Sequence, residues 1–238
     1  MLKKLLSFSL VFASLMVSAN AVENYKKVPG LDEIVQLPAG GLILARHDDK
    51  LMIMSANGRF LVQGGTIFDM WNKGTPITSI QQGKDLAQRV NINAMNIDLD
   101  ELFSFKFGNQ SKGKEDRIVV FVDPSTENSK KMLDQVNRVK SFPVTVVVAP
   151  LIQKDSMKLA QRLACLRDTN KEAAKEALLT GNFAFLPKKH TCGVSQMQKT
   201  LITTQMLGVT GLPFVIAPDG RTFKGRPSNL EKFARGVK

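Results

Sequence analysis

Cysteine, histidine, tryptophan and tyrosine are almost missing: the 238 residues hold two, two, one and one of them. Two cysteines exclude a disulfide-dense miniprotein, and so few cysteines and histidines leave no four-ligand zinc cluster, His190 and Cys192 being near each other without further ligands around them. No period of roughly 20 to 50 residues recurs, which excludes a solenoid or propeller. Past the first residues no apolar run approaches the roughly 20 residues that a bilayer-spanning helix needs. What is present is ordinary for globular protein: 43% hydrophobic and 23% charged residues, with 17 glycines and 10 prolines. A chain of this size buries one or two real cores. Its formal charge of +12 favours anionic partners.

The N-terminus reads as an export signal. Lys3 and Lys4 give a positive start, Leu5 to Val17 an apolar stretch, and Ala19-Asn20-Ala21 a small-x-small cleavage site. Residues 1–21 are therefore expected to be removed. The stretch is too short for a membrane anchor, so a soluble periplasmic protein without stable membrane insertion is expected. In an oxidising compartment Cys165 and Cys192 read as a structural disulfide, whose closed loop would contribute about 3 to 4 kcal/mol in the chain-entropy model. A redox-active pair is the other reading, although such pairs usually sit two residues apart at a helix N-terminus.

Charge divides the chain. Residues 22–110 carry nine basic and ten acidic side chains, and residues 111–238 carry 22 and 11. In the first half, Leu42 to Arg46, Leu51 to Ser55 and Arg59 to Gln63 are short strand-like runs, separated by His47-Asp48-Asp49-Lys50 and by the hairpin signal Asn57-Gly58. Thr66 to Trp71 adds a strand, and Gly83 to Val90 opens a helix. So small a sheet invites pairing with a second copy, with Met52 or Ile53 as the contact. Residues 91–115, ending in the glycine-interrupted Gly108 to Lys114, read as a linker helix and loop.

The second half alternates element types. Arg117 to Val122 and Val144 to Val148 are continuous β-branched runs with a helical stretch, Ser129 to Val139, between them: a βαβ unit. Helices are expected over Ser156 to Leu166, Asn170 to Leu179 and Ser195 to Leu207. A hairpin turning at Pro218-Asp219-Gly220 follows, then a helix over Ser228 to Arg235 with Ser228 as cap and Glu231 three residues on. This is the element order of a thioredoxin-like domain with a helical insertion.

The segment Phe121-Val122-Asp123-Pro124-Ser125-Thr126-Glu127-Asn128-Ser129-Lys130 resembles the strand, loop and helix start at which the periplasmic disulfide isomerases of the DsbC and DsbG type carry a Cys-x-x-Cys pair. Thr126 and Ser129 stand at the two cysteine positions. Gly208 to Phe214 resembles the loop that holds that family's cis-proline, with Leu212 and Pro213 at its substrate-binding surface. Cys165 and Cys192 match its non-catalytic disulfide, and Ile43 to Met70 resembles its dimerising sheet. The resemblance implies an α+β and α/β architecture: a small N-terminal antiparallel dimerisation sheet over residues 22–90 and a thioredoxin-like domain over 116–238.

The departure from the family bears on the chemistry. Thiol–disulfide exchange needs one sulfur to form a mixed disulfide and a second to resolve it, and hydroxyls do neither. An alcohol becomes a nucleophile only beside a base, and neither His47 nor His190 is placed by sequence near Thr126, which argues against a hydrolase. Helix capping is the structural reading of Thr126, Asn128 and Ser129, and a turn or cap that of Asp123. The basic half has no run of five cations and no tyrosine or tryptophan for base stacking, so nucleic acid is not expected. A homodimeric, non-catalytic chaperone or assembly factor for unfolded or partly assembled exported proteins is the leading expectation, with no cofactor and no metal. A thiol–disulfide enzyme using Cys165 and Cys192, and a structural component of an envelope complex, are the alternatives.

Overall fold

The computed structural model describes residues 31–37, 41–55, 61–70 and 74–236. The export signal, Tyr25, Asn57-Gly58 and Trp71 lie outside the described residues. The chain divides into two compact units between Gln88 and Arg89.

In the first unit, strands β1 (Leu31–Gln36), β2 (Leu42–His47), β3 (Lys50–Ser55) and β4 (Leu61–Gln63) form an antiparallel meander in that order. Asp48 and Asp49, both at positive φ (47° and 59°), make the two-residue turn between the paired His47 and Lys50. Two positive-φ residues match the right-handed twist of the flanking strands. Alternation gives the sheet two apolar faces. Ile43, Ala45, Met52 and Met54 cluster with Leu31 and Ile34 on one. Leu44 on the other clusters with Val35, Leu51 and Ile53, with Ile77 of β6 (Thr75–Ile77), and with Ile80 and Leu86 of helix α1 (Ile80–Ala87). Helix α1 starts three residues earlier than expected because the Ser79 hydroxyl caps it, accepting from Gln82 N. Gly83 lets it lie close on the sheet, since a Cβ there would stand 2.5 Å from Leu44 Cδ2.

Met52 is buried and Ile53 is packed within the unit, so neither presents itself to a partner as the sequence reading expected. The exposed apolar side chains lie instead on β4, where Leu61 and Val62 are 54% and 60% exposed, and around β5 (Ile67–Asp69), at Phe68 and Met70.

The second unit is built on a five-stranded sheet of order β11 (Thr222–Lys224), β10 (Phe214–Ile216), β8 (Ile118–Val122), β9 (Pro143–Val148) and β7 (Ser104–Gly108). Strands β8 (Ile118–Val122) and β9 (Pro143–Val148) are parallel, joined through helix α2 (Glu127–Arg138), and buried at every residue, as their continuous β-branched sequences require. Strand β7 (Ser104–Gly108) pairs antiparallel with β9. Strand β10 (Phe214–Ile216) pairs antiparallel with β8 and with β11 (Thr222–Lys224). Helices α3 (Ser156–Thr169), α4 (Lys171–Thr180) and α5 (Val194–Met206) lie between β9 and β10 in the chain. This is a thioredoxin-like fold with a helical insertion.

Alternate side chains of the central strands serve two cores. Ile118, Val120, Val122, Val144, Val146 and Val148 pack with α2, α3, α4 and the last helix, α6 (Leu230–Ala234). Val119, Phe121, Val147, Phe214 and Ile216 pack with Val90, Leu99, Leu102 and Leu207.

Two expectations are corrected here. Residues 91–115 are not a linker: Leu99, Leu102, Phe103 and Phe105 are core residues, and β7 is an edge strand of the sheet. Helix α6 is capped by Asn229, which accepts from Lys232 N, and not by Ser228. Glu231 does not complete a capping box, because its carboxylate accepts instead from the amides of Lys140 (3.1 Å) and Ser141 (3.2 Å).

Candidate functional site

Strand β8 delivers Asp123 to the start of α2 with its side chain fully buried. One carboxylate oxygen accepts from Ser125 N (3.1 Å) and Ser125 Oγ (2.5 Å), and the other accepts from Ile152 N (2.8 Å). The Ser125 hydroxyl also lies 2.8 Å from that of buried Ser156, whose oxygen accepts from Gln153 N (3.1 Å). The β8–α2 loop is thereby tied to the β9–α3 loop.

Thr126 caps α2, its hydroxyl oxygen accepting from Ser129 N at 3.4 Å. The same hydroxyl lies 2.8 Å from Ser129 Oγ and 3.0 Å from the Asp123 carbonyl oxygen. Ser129, fully buried, accepts at Oγ from Asp123 N at 3.1 Å. Thr126 and Ser129 are therefore brought together, and both hydroxyls are used within the turn. Among the described hydrogen bonds neither hydroxyl meets a titratable side chain, and the Asp123 carboxylate takes its three donors from Ser125 and Ile152. An unactivated alcohol at neutral pH is a poor nucleophile.

The Leu212–Pro213 bond is cis. Phe214 pairs with Phe121, so one step back along β10 sets Pro213 beside Val122, at the sheet end that leads into Asp123 and Thr126. The Pro213 carbonyl accepts from Gly225 N at 2.8 Å, which fixes the loop on the β11 side. Leu212 is half-buried, packed against the second core with Val209. Ile152, at 51%, Ile202 and Met206 are exposed apolar side chains on the neighbouring loop and on α5, the helix that precedes the proline loop. Cys165 of α3 and Cys192 are joined in a disulfide across 27 residues, and Cys165 is buried. Among the described residues no group of three side chains is arranged to hold a metal ion.

No protein-family model and no curated protein matches the chain. Solved structures do. A disulfide interchange protein from Neisseria gonorrhoeae is 23% identical, with a TM-score of 0.48, over 59% of this chain and 97% of that one. The thiol-disulfide exchange protein alpha-DsbA2 from Wolbachia pipientis is 16% identical, with a TM-score of 0.45, over 61% and 91%. DsbG from Helicobacter pylori is 15% identical, with a TM-score of 0.38, over 83% and 98%.

Ser125, Ile152 and Ser156 were not legible as site residues. The Asp-x-Ser spacing signals an Asx turn at 123–125, but the amide of Ile152 and the hydroxyl of Ser156 come from a loop about thirty residues away, with no local signature.

Proposed function

We propose that the protein is a non-catalytic holder of exported polypeptides: a chaperone or assembly factor with a thioredoxin-like client surface and no thiol chemistry. One observation carries this reading. Where a sulfur pair would have to stand, at the first turn of α2, the side chains are the hydroxyls of Thr126 and Ser129, 2.8 Å apart and bonded to the turn itself. The neighbouring surface needs no sulfur. Half-buried Leu212 precedes buried cis-Pro213 just outside the paired residues of β10, so its backbone is where an extended chain would pair, and Ile152 supplies exposed apolar area on the loop tied to Asp123.

The first unit is the pairing device in this reading. Strand β4 is last in its sheet and exposes Leu61 and Val62, an edge that a second copy would cover. Two client surfaces on one dimer raise apparent affinity through effective concentration. The periplasm is the compartment in which such a protein would meet unfolded exported chains. The test is suppression of aggregation of a cysteine-free client. The mature protein should suppress it, Leu212→Glu should weaken suppression, and Cys165→Ala should leave it in place below its own unfolding temperature. Activity indifferent to Leu212→Glu, or none at all, would overturn the reading.

A further inference from the structure

Loop 181–193, between α4 and α5, has no part in the site described above, and its chemistry is distinctive. Phe185 is 68% exposed, and Lys188, Lys189 and His190 follow it, all exposed. The loop is not loose chain. Arg162 of α3 donates from Nε to the Pro187 carbonyl and from Nη2 to the Leu186 carbonyl, both at 2.8 Å. Leu186 is buried in the core, Ala184 N donates to Asn182 Oδ1, and Cys192 anchors the far end to Cys165. The scaffold thus holds the backbone on both sides of a ring that is left largely exposed to water.

The local sequence carries charge of one sign. From Glu176 to Asp219 the sequence contains no carboxylate between them, and no ion pair engages Lys188 or Lys189 among the described residues. One projecting ring flanked by cations is a poor protein interface, since such interfaces need a broad patch and are depleted in lysine. It is a good fit to a bilayer surface, where the ring enters the headgroup boundary and ammonium groups meet lipid phosphates.

We propose that loop 181–193 docks this protein peripherally on anionic lipid, with Phe185 inserting and Lys188 and Lys189 contacting headgroups. No described helix is long and apolar enough to span a membrane.

Co-sedimentation of the mature protein with phosphatidylcholine vesicles containing or lacking phosphatidylglycerol tests this. Binding is expected only with phosphatidylglycerol, weakening as salt rises. Lys188→Gln with Lys189→Gln should lower the partition constant about 25-fold, at about fivefold per lysine, and Phe185→Ser should lower it further. Lys224→Gln with Arg226→Gln removes the same charge elsewhere and should have a much smaller effect. The proposal is overturned if vesicles are not bound, if the two lysine-loop variants bind like wild type, or if both charge pairs matter equally. Soluble polyglutamate displacing the protein as well as phosphatidylglycerol vesicles do would overturn it in favour of an acidic protein partner. The client assay at Leu212 is independent of all these outcomes.

Discussion

Thr126 Oγ1 and Ser129 Oγ stand 2.8 Å apart across the first turn of α2, an ordinary hydroxyl–hydroxyl hydrogen-bond distance. The turn satisfies itself: Thr126 caps the Ser129 amide, Ser129 takes the Asp123 amide, and Asp123 fixes the next loop. A helix N-terminus lowers the pKa of a thiol into the working range, but an alcohol starts too high for that field to matter.

Placing sulfur in this turn should therefore confer reactivity. The double substitution Thr126→Cys and Ser129→Cys is expected to give a protein that catalyses insulin reduction by dithiothreitol, with the thiol at 126 alkylated by iodoacetamide at a midpoint below the ordinary value of about 8.5. A midpoint at or above that value, with no insulin reduction, would show that the turn lacks the expected electrostatics.

Asp123 is the joint between the two loops at this end of the sheet. Asp123→Asn keeps the volume but turns one carboxylate oxygen into a donor facing either Ile152 N or the Ser125 donors. A buried clash of donors costs about 1 to 3 kcal/mol, to be read as a lowered urea midpoint at unchanged slope. An unchanged midpoint would mean that the carboxylate is not what holds the loops.

Removing the staple has a separate cost. Cys165→Ala with Cys192→Ala opens a 27-residue loop and should destabilise the second unit by about 3 to 4 kcal/mol, measured by urea unfolding. Thiol titration of the folded wild-type protein without reductant should find no free sulfhydryl.

Stability should fall on acidification. A hydrogen bond from Lys106 holds the Asp100 carboxyl below its ordinary 3.8, and backbone hydrogen bonds from Ser141 and then Lys140 hold Glu231 below 4.5. Burial pushes Asp219 up, but hydrogen bonds from Arg221 outweigh it and the net direction is down. Each group binds a proton more readily when unfolded. The stabilisation is full above the ordinary values and is lost as pH falls through the lowered ones. The urea midpoint should be flat above about pH 5.5 and drop below about pH 4.5, with Glu231→Gln flattening part of the drop. A midpoint that is flat down to pH 3 would contradict the assignment.

Much of the second unit was legible because its central strands are buried on both faces and so lack alternation: Ile118 to Val122 and Val144 to Val148 read as strands from their β-branched runs alone. Strand β7 was not read, although Ser104-Phe105-Lys106-Phe107 alternates, because an edge strand carries polar side chains and this one runs straight into the Gly108 turn. The register of Pro213 against the end of β8, and the reach of Glu231 to Lys140 and Ser141, join residues 90 or 91 apart, which local patterns do not encode. Thr126 and Ser129 were legible as a pair only through the resemblance of residues 121–130 to a Cys-x-x-Cys helix start, and otherwise as capping residues, which Thr126 is.

The proposed pairing surface can be tested without touching the core. Val62→Glu places a carboxylate on exposed β4, and sedimentation should shift from dimer to monomer while the urea midpoint of the second unit stays constant. A wild-type monomer, or a dimer unaffected by this change and by Leu61→Glu, would remove the dimer from the account.

The central claim is that this molecule holds chains without rewiring their disulfides, and the direct measurement is recovery of activity from scrambled ribonuclease in a glutathione buffer. The account predicts recovery no faster than buffer alone at any protein concentration. Recovery that rises with protein concentration and disappears in Cys165→Ala, assayed below that variant's unfolding temperature, would contradict it.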